Sequence, residues 1–299
     1  MKIGRKIGEG ANAEVFEWGS TNKVVKLAKS NIDKTDLKRE FNNNLIMWKL
    51  GLPVPQPFEM IEFKHRPGIV YERILGKTLR ERFFENLVTQ KDTDQTTFDL
   101  DDVRLSARIL GKVHNSKSHR ELPSNQREFL KKQILSVDYL REDEKKDVLG
   151  LLDSLPVKRN ICHGDANPNN ILFPNGEPVL IDWMNASNGN PEADLAEFII
   201  MIRYAILPPN TPPNAVRLFD SNRENIINEF MQAYTRLTGT TYNEVDPWIV
   251  PIAARKLSSD GIVEEEKQLL VGVIRKRLNS CGQKGKYMQH ILEGKGLND

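Results

Sequence analysis

Cysteine is scarce in this chain: Cys162 and Cys281 are the only two among 299 residues. Two thiols build no disulfide framework, and their spacing is not that of a metal-binding cluster, so a reducing compartment is expected and a cytoplasmic location with it. An excess of charge of one sign is also missing. Forty-three Lys and Arg against forty-one Asp and Glu leave a formal +2, too weak a field to recruit nucleic acid or a membrane surface, and neither is expected as a partner. The longest apolar stretch, 195–207, is interrupted by Glu197 and Arg203 and falls short of the ~20 residues that cross a bilayer. It reads as a core helix. The opening MKIGRKIGEGANAEVF carries charge but no apolar h-region, so no secretory signal is expected. There is no G-x-S-x-G and no serine or cysteine beside a placed base, which sets hydrolase chemistry aside. Nothing in the composition sets an oligomeric state.

What is present suffices for a large core: 39 % of residues are hydrophobic. Residues 1–74 read as a β-rich N-terminal lobe and 75–299 as a larger, mostly helical one, an α+β fold in two lobes. In the first, short strands at 13–18, 23–27, 60–63 and 68–74 are separated by turn residues, including 65–68. A helix over 35–50 breaks the series, with Leu37, Phe41, Leu45 and Trp48 as its apolar face and Glu40 beside it. In the second, helices are expected at 78–86, 101–115, 126–140, 142–154, 192–207, 224–237 and 264–278. The acidic run Glu264-Glu265-Glu266 looks like a solvated helix start. Short strands at 160–162, 171–173 and 178–182 interrupt the helices. The polar stretches 89–97 and 208–214 read as loops, and the tail from 282 as partly disordered.

The chemistry is concentrated in ICHGDANPNNILF, 161–173, and VLIDWMN, 179–185. Asp165, Asn170 and Asp182 sit at the ends of short apolar strands, where loop side chains converge. An Asp, an Asn five positions on, and another Asp after the next strand supply one carboxylate for an accepting hydroxyl and two oxygen ligands for Mg²⁺. Phosphoryl transfer needs that kind of help: in-line positioning and neutralisation of phosphate charge. Each residue alone would pass for a turn residue bonded to its own backbone; their joint order favours a site. His163 reads as an organiser of the loop, His114 as a helix-face packing residue, and Cys162 as an inert buried thiol.

Upstream, GEGANAEVF at 8–16 offers Gly8 and Gly10, small enough for backbone N–H groups to approach phosphates. Eleven residues beyond Val15, Lys26 lies in the strand NKVVKL, and fourteen further on stands Glu40, a partner able to hold the lysine against a nucleotide. The segment Tyr71-Glu72-Arg73-Ile74 then reads as a hinge, with the backbone at Glu72 and Ile74 meeting the adenine edge.

Taken in order, GEGANAEVF, VVKLAK, Glu40, VYERILGKTL, ICHGDANPNN, LIDW and GNPEADLAEF resemble the aminoglycoside phosphotransferase family, which includes choline kinase-like enzymes and is a branch of the protein-kinase-like superfamily. The match runs over about 4–203. It implies ATP or GTP as nucleotide, Mg²⁺ as cofactor, Asp165 as catalytic base, Asn170 and Asp182 as metal ligands, Lys26 as phosphate ligand with Glu40 its partner, and Asp194 as an internal brace. Two positions depart from protein kinases: Ala13 stands for the third glycine, and Trp183-Met184 for the Phe-Gly after the metal-binding Asp.

Only about ten residues link Asp182 to the helix expected at Glu192, with no A-P-E segment. That leaves no platform for a peptide and points to a small-molecule hydroxyl acceptor. Acids and bases beyond Asp182 are near balance, which gives no special pull on a polycation. A nucleotide-binding pseudokinase is the alternative, and a protein kinase a more distant one.

Overall fold

The short strands of the first seventy-two residues fold as one antiparallel sheet, interrupted by a single helix. A computed structural model describes residues 3–292 apart from 11, 31, 90–99, 117–121, 123, 175 and 260. Its sheet contains β1 (Ile3–Glu9), β2 (Ala13–Trp18), β3 (Lys23–Ala28), β4 (Pro57–Phe63) and β5 (Arg66–Glu72), in the order β1-β2-β3-β5-β4. The period of two assigns Trp18, Val25, Leu27 and Val70 to one apolar cluster, and Ala28, Ile69 and Tyr71 to another, which Leu37 joins from outside the sheet. The second is the layer shared with helix α1 (Lys34–Lys49), capped by Asp33, whose side chain accepts from the Asp36 N–H. Lys26 lies between Val25 and Leu27, so it points towards that helix.

Two expectations about this region fail. The turn is at Lys64 and His65, both at positive φ (49° and 62°), while Arg66 and Pro67 already belong to β5. Pro67 pairs with Glu62 of β4, while β3 joins β5 only from Gly68 onward, so the proline sits where β5 has a neighbour on one side alone. The face of α1 is also different: Leu37, Glu40, Asn43, Asn44 and Met47 are buried, Phe41 and Leu45 only partly, and Trp48 is exposed. The helix buries polar residues because each has a partner inside. Asn44 donates to the Pro55 carbonyl at 2.6 Å; the roles of Glu40 and Asn43 follow below.

Beyond β5 come β6 (Lys77–Thr78), α2 (Leu79–Thr89), α3 (Asp101–Asn115), α4 (Gln126–Leu135), α5 (Glu142–Ser154), β7 (Asn160–Cys162), β8 (Ile171–Phe173), β9 (Val179–Leu180), β10 (Ser187–Gly189), α6 (Pro191–Arg203), α7 (Pro213–Thr238), α8 (Tyr242–Val245), α9 (Ile249–Lys256) and α10 (Glu264–Leu292). α4 stops short of residue 140. α7 begins well before residue 224, with Pro213 in its first turn, where a missing N–H does no harm. α8 and α9 go beyond the helices expected, because Pro247 and Pro251 mask the helical period there. The polar stretch 89–97 lies, from residue 90, outside the described residues; the tail helix runs on to Leu292, past the point where disorder was expected. Glu266 is buried rather than part of a solvated start.

α6 runs through the middle of the larger core. Leu195, Phe198, Ile199, Ile200 and Ile202 are all buried, and Phe198 stacks on Phe230 at 3.8 Å between ring centroids. Among the described residues no helix is long and apolar enough to cross a membrane.

Candidate active site

Two small sheets frame the polar loop 163–170. β7 pairs antiparallel with β10, Cys162 opposite Ser187, while β8 pairs with both β6 and β9. The loop leaves one sheet and enters the other. Gly164 makes the exit possible: its φ is +77°, and a Cβ there would lie 2.3 Å from the Asn185 carbonyl oxygen.

Asp194, in the first turn of α6, holds the loop by its backbone. Its two carboxylate oxygens accept the N–H groups of His163 (2.6 Å) and Gly164 (2.9 Å), and one also meets His114 Nε2 at 3.1 Å. The other imidazole nitrogen of His114 is 2.7 Å from the Tyr234 hydroxyl. With Nε2 donating to the carboxylate, Nδ1 accepts from the Tyr234 hydroxyl, which makes His114 a buried brace rather than a packing residue alone. Burial acts to raise the Asp194 pKa, but the hydrogen bonds from His114 and from the His163 backbone oppose it, and the group is held below the usual carboxylate range.

His163 ties the loop to the strand before Asp182. Its Nε2 donates to the Ile181 carbonyl at 2.9 Å and its Nδ1 accepts the Asp165 N–H at 3.3 Å. Both nitrogens are spent on backbone, the organising role expected of it. Asp165 is held from two sides: Asn167 Nδ2 donates to Oδ1 at 2.9 Å, and Asn170 Nδ2 to Oδ2 at 3.1 Å and to the backbone carbonyl at 3.0 Å. Asn167 also accepts the Asn169 N–H at 2.8 Å, so it is a turn residue and an orienter at once. The nitrogen end of Asn170 is committed to Asp165, which leaves its oxygen end for a cation.

Lys26 joins the sheet, the helix and the far loop. Its Nζ lies 2.7 Å from Glu40 Oε1 and 3.1 Å from Asp182 Oδ1, and the Tyr71 hydroxyl donates to the same Glu40 oxygen at 3.1 Å. Burial acts to lower the Lys26 pKa; Asp182 and Glu40 together outweigh it and keep the ammonium above its ordinary value. Burial likewise acts to raise Asp182, and Lys26 overrides it, so that carboxylate stays below its ordinary range. Asp182 sits in the left-handed region, φ 65° and ψ 66°.

Gly8 lies in β1 opposite Val15, and Gly10 in the turn to β2, donating to the Ala13 carbonyl at 2.9 Å. A Cβ at Gly10 would meet nothing within 4 Å, so this backbone faces open space. Glu72 and Ile74 are not drawn into the charged cluster. The Glu72 N–H donates to the Gln56 carbonyl and its carboxylate accepts the Gln56 N–H, while Ile74 follows in irregular chain after Arg73, whose N–H donates to the Asn22 carbonyl.

Sequence reasoning overlooked Tyr71 as a side chain, Asn43, and a buried trio beneath the loop. Glu197 takes Lys256 at 2.7 Å and also Arg255, whose guanidinium is 3.5 Å from the Gly164 carbonyl. The signal for the trio was visible: an acid inside an apolar helix requires a cationic partner. Burial pushes the Cys162 thiol up, in keeping with an unreactive group.

Residues 3–248 match the model of the phosphotransferase enzyme family. A search of curated proteins returns no match. Among solved structures, a thermostable mutant of the aminoglycoside phosphotransferase APH(4)-Ia in a ternary complex with ADP and hygromycin B is 14 % identical, with 93 % of this chain and 94 % of that one covered and a TM-score of 0.61. Choline kinase LicA from Streptococcus pneumoniae is 16 % identical, with 94 % of each chain covered and a TM-score of 0.59. A choline/ethanolamine kinase family protein from Mesorhizobium loti is 15 % identical, over 98 % of this chain and 92 % of its own, at a TM-score of 0.58. These likenesses establish a common kinase-like α+β fold. With the family model spanning most of its length, this chain belongs to the phosphotransferase enzyme family.

Proposed function

We propose that this phosphotransferase moves the γ-phosphoryl group of ATP, or GTP, to a hydroxyl of a small molecule. The observation that carries the reading is the joining of two clusters by one imidazole: His163 bonds both the Asp165 N–H and the carbonyl preceding Asp182. The nucleotide lies in the cleft beneath the β1–β2 turn, between an N-terminal lobe ending near residue 74 and the helical lobe. Gly8 and Gly10 give the phosphates a close backbone, Lys26 reaches the α- and β-phosphates from its post on Glu40, and the backbone at Glu72 and Ile74 meets the base. Asp165 orients the acceptor hydroxyl and takes its proton as the bond from that oxygen to the γ-phosphorus forms and the bond from the γ-phosphorus to the bridging oxygen breaks, the nucleoside diphosphate leaving. The oxygen donors of Asn170 and Asp182 fit Mg²⁺, a hard cation, which when bound neutralises charge on the phosphates.

A nucleotide as donor accords with the ADP held by the aminoglycoside phosphotransferase relative. A small acceptor accords with the segment after Asp182, which is a short turn leading into β10, pinned to β7. Several carboxylates of the helical region are already engaged: Glu197 with Arg255 and Lys256, Glu224 with Arg203, Glu229 with Arg104, Asp246 with Arg277. That argues against an acceptor recognised mainly as a polycation.

Incubation with γ-labelled ATP, Mg²⁺ and a panel of amino alcohols, sugars and aminoglycosides is expected to label one class of small molecule. Asp165→Asn should lower transfer by about 10³-fold while ADP still raises the melting temperature. Unchanged transfer in that variant would remove Asp165 from the mechanism; nucleotide stabilisation with no acceptor ever labelled would favour a binding module.

A further inference from the structure

The buried face of α1 carries an unexplained polar residue. Asn43 is fully buried, its Nδ2 donates to the Trp183 carbonyl at 2.9 Å, and its Oδ1 has no hydrogen-bond partner. A leucine would fill the same space and leave no orphaned acceptor. An asparagine with one end unsatisfied is explained by what the other end supplies, a donor to the turn that follows Asp182.

That turn needs holding. Asp182 enters it in a left-handed conformation that non-glycine residues avoid. Trp183 is fully buried, donates from Nε1 to the Leu180 carbonyl at 3.1 Å, and packs on the His163 ring at 4.6 Å. A second tether from the same helix comes from Arg39, whose Nε donates to the Met184 carbonyl at 3.3 Å while its Nη2 stays on Asp36. The carbonyls of 183 and 184 are thus both received by α1, from Asn43 one turn beyond Glu40 and from Arg39 immediately before it.

We infer that Asn43 is the positioning residue for Asp182: it clamps the 182–185 turn to α1, so that the carboxylate facing Lys26 and the helix carrying Glu40 form one rigid unit. Arg39 is the outer, weaker tether. The inference rests on Asp182 being a metal ligand, as proposed above.

The test uses the full chain and melting temperature with ADP alone and with ADP plus Mg²⁺. In the native protein Mg²⁺ adds an increment to the stabilisation by ADP. Asn43→Leu is expected to keep the ADP shift, lose most of the Mg²⁺ increment, and lower kcat by roughly 10- to 100-fold, with the acceptor KM within about two-fold. Asn43→Ser, which retains a shorter donor, should fall between, and Arg39→Ala should move the same way by less. A residue that merely packs would lower the melting temperature of the free protein and leave the increment intact. Folded Asn43→Leu with native increment and kcat overturns the inference; if that variant does not fold, native behaviour in both Asn43→Ser and Arg39→Ala does so. Asp182→Ala separates the two claims. An increment that survives Asp182→Ala sinks the metal-ligand reading itself, whereas one lost there and kept in the Asn43 variants sinks only the clamp.

Discussion

The two halves of the site are held by different kinds of bond. Around Lys26 the contacts are ion pairs between side chains from three separate elements, β3, α1 and the turn after β9. Around Asp165 they are mostly side chain to backbone: Asp194 on two N–H groups, His163 on a carbonyl and an N–H. Paired side-chain charges are sensitive to loss of a partner, because a buried charge left alone is expensive. A loop held by its backbone is instead sensitive to shape. The lysine half depends on charge balance, the loop half on conformation.

That contrast can be broken by substitution, beginning with the largest effect. Lys26→Met leaves Glu40 buried without its cation and should destabilise by about 3–5 kcal/mol, measured by urea unfolding. The loss should depend on pH. Burial raises the Glu40 pKa above its ordinary 4.5, and without the lysine only the Tyr71 hydroxyl opposes it; the protonated form then persists in the folded state, so stability falls as pH rises above about 4.5 through the folded value. A pH-independent deficit would mean that the pocket rehydrates.

Gly164→Ala is expected to cost about 2–4 kcal/mol, combining the left-handed φ with a clash against the Asn185 carbonyl. This loss should be flat in pH, and a neutral result would show that the loop is not held by shape. Asp194→Asn should cost about 2–3 kcal/mol. Since the Asp194 pKa is depressed, its contribution is full above the ordinary 3.8 and is lost as pH falls through the folded value, so native and variant should converge in strong acid. Smallest is Glu40→Gln, about 1 kcal/mol, because Lys26 keeps Asp182 and Tyr71 retains an acceptor. Its signature is kinetic, a roughly five-fold rise in nucleotide KM; loss of folding instead would show that the two acids on Lys26 are not interchangeable supports.

Much of this was legible in the joint order of a few residues. Asp165, Asn170 and Asp182 announce themselves as polar residues at the ends of apolar strands, and Lys26 with Glu40 by charge and element type. The face of α1 was not legible: its apolar residues suggested Phe41, Leu45 and Trp48, whereas the buried side is set by polar partners elsewhere. Asn43 and its carbonyl lie 140 positions apart, Arg255 and Glu197 58, distances over which no local period carries information.

By itself the sequence determined a β-rich region followed by a mostly helical one and the chemical types at the site, since hydrophobic periodicity and turn residues act over a few positions. Beyond the pairing of Lys26 with Glu40, tertiary structure alone decided which polar groups meet. Lys26 and Asp182 are 156 positions apart, and their contact, like the clamp of α1 on the 182–185 turn, exists only because packing excludes water around groups that must then find one another.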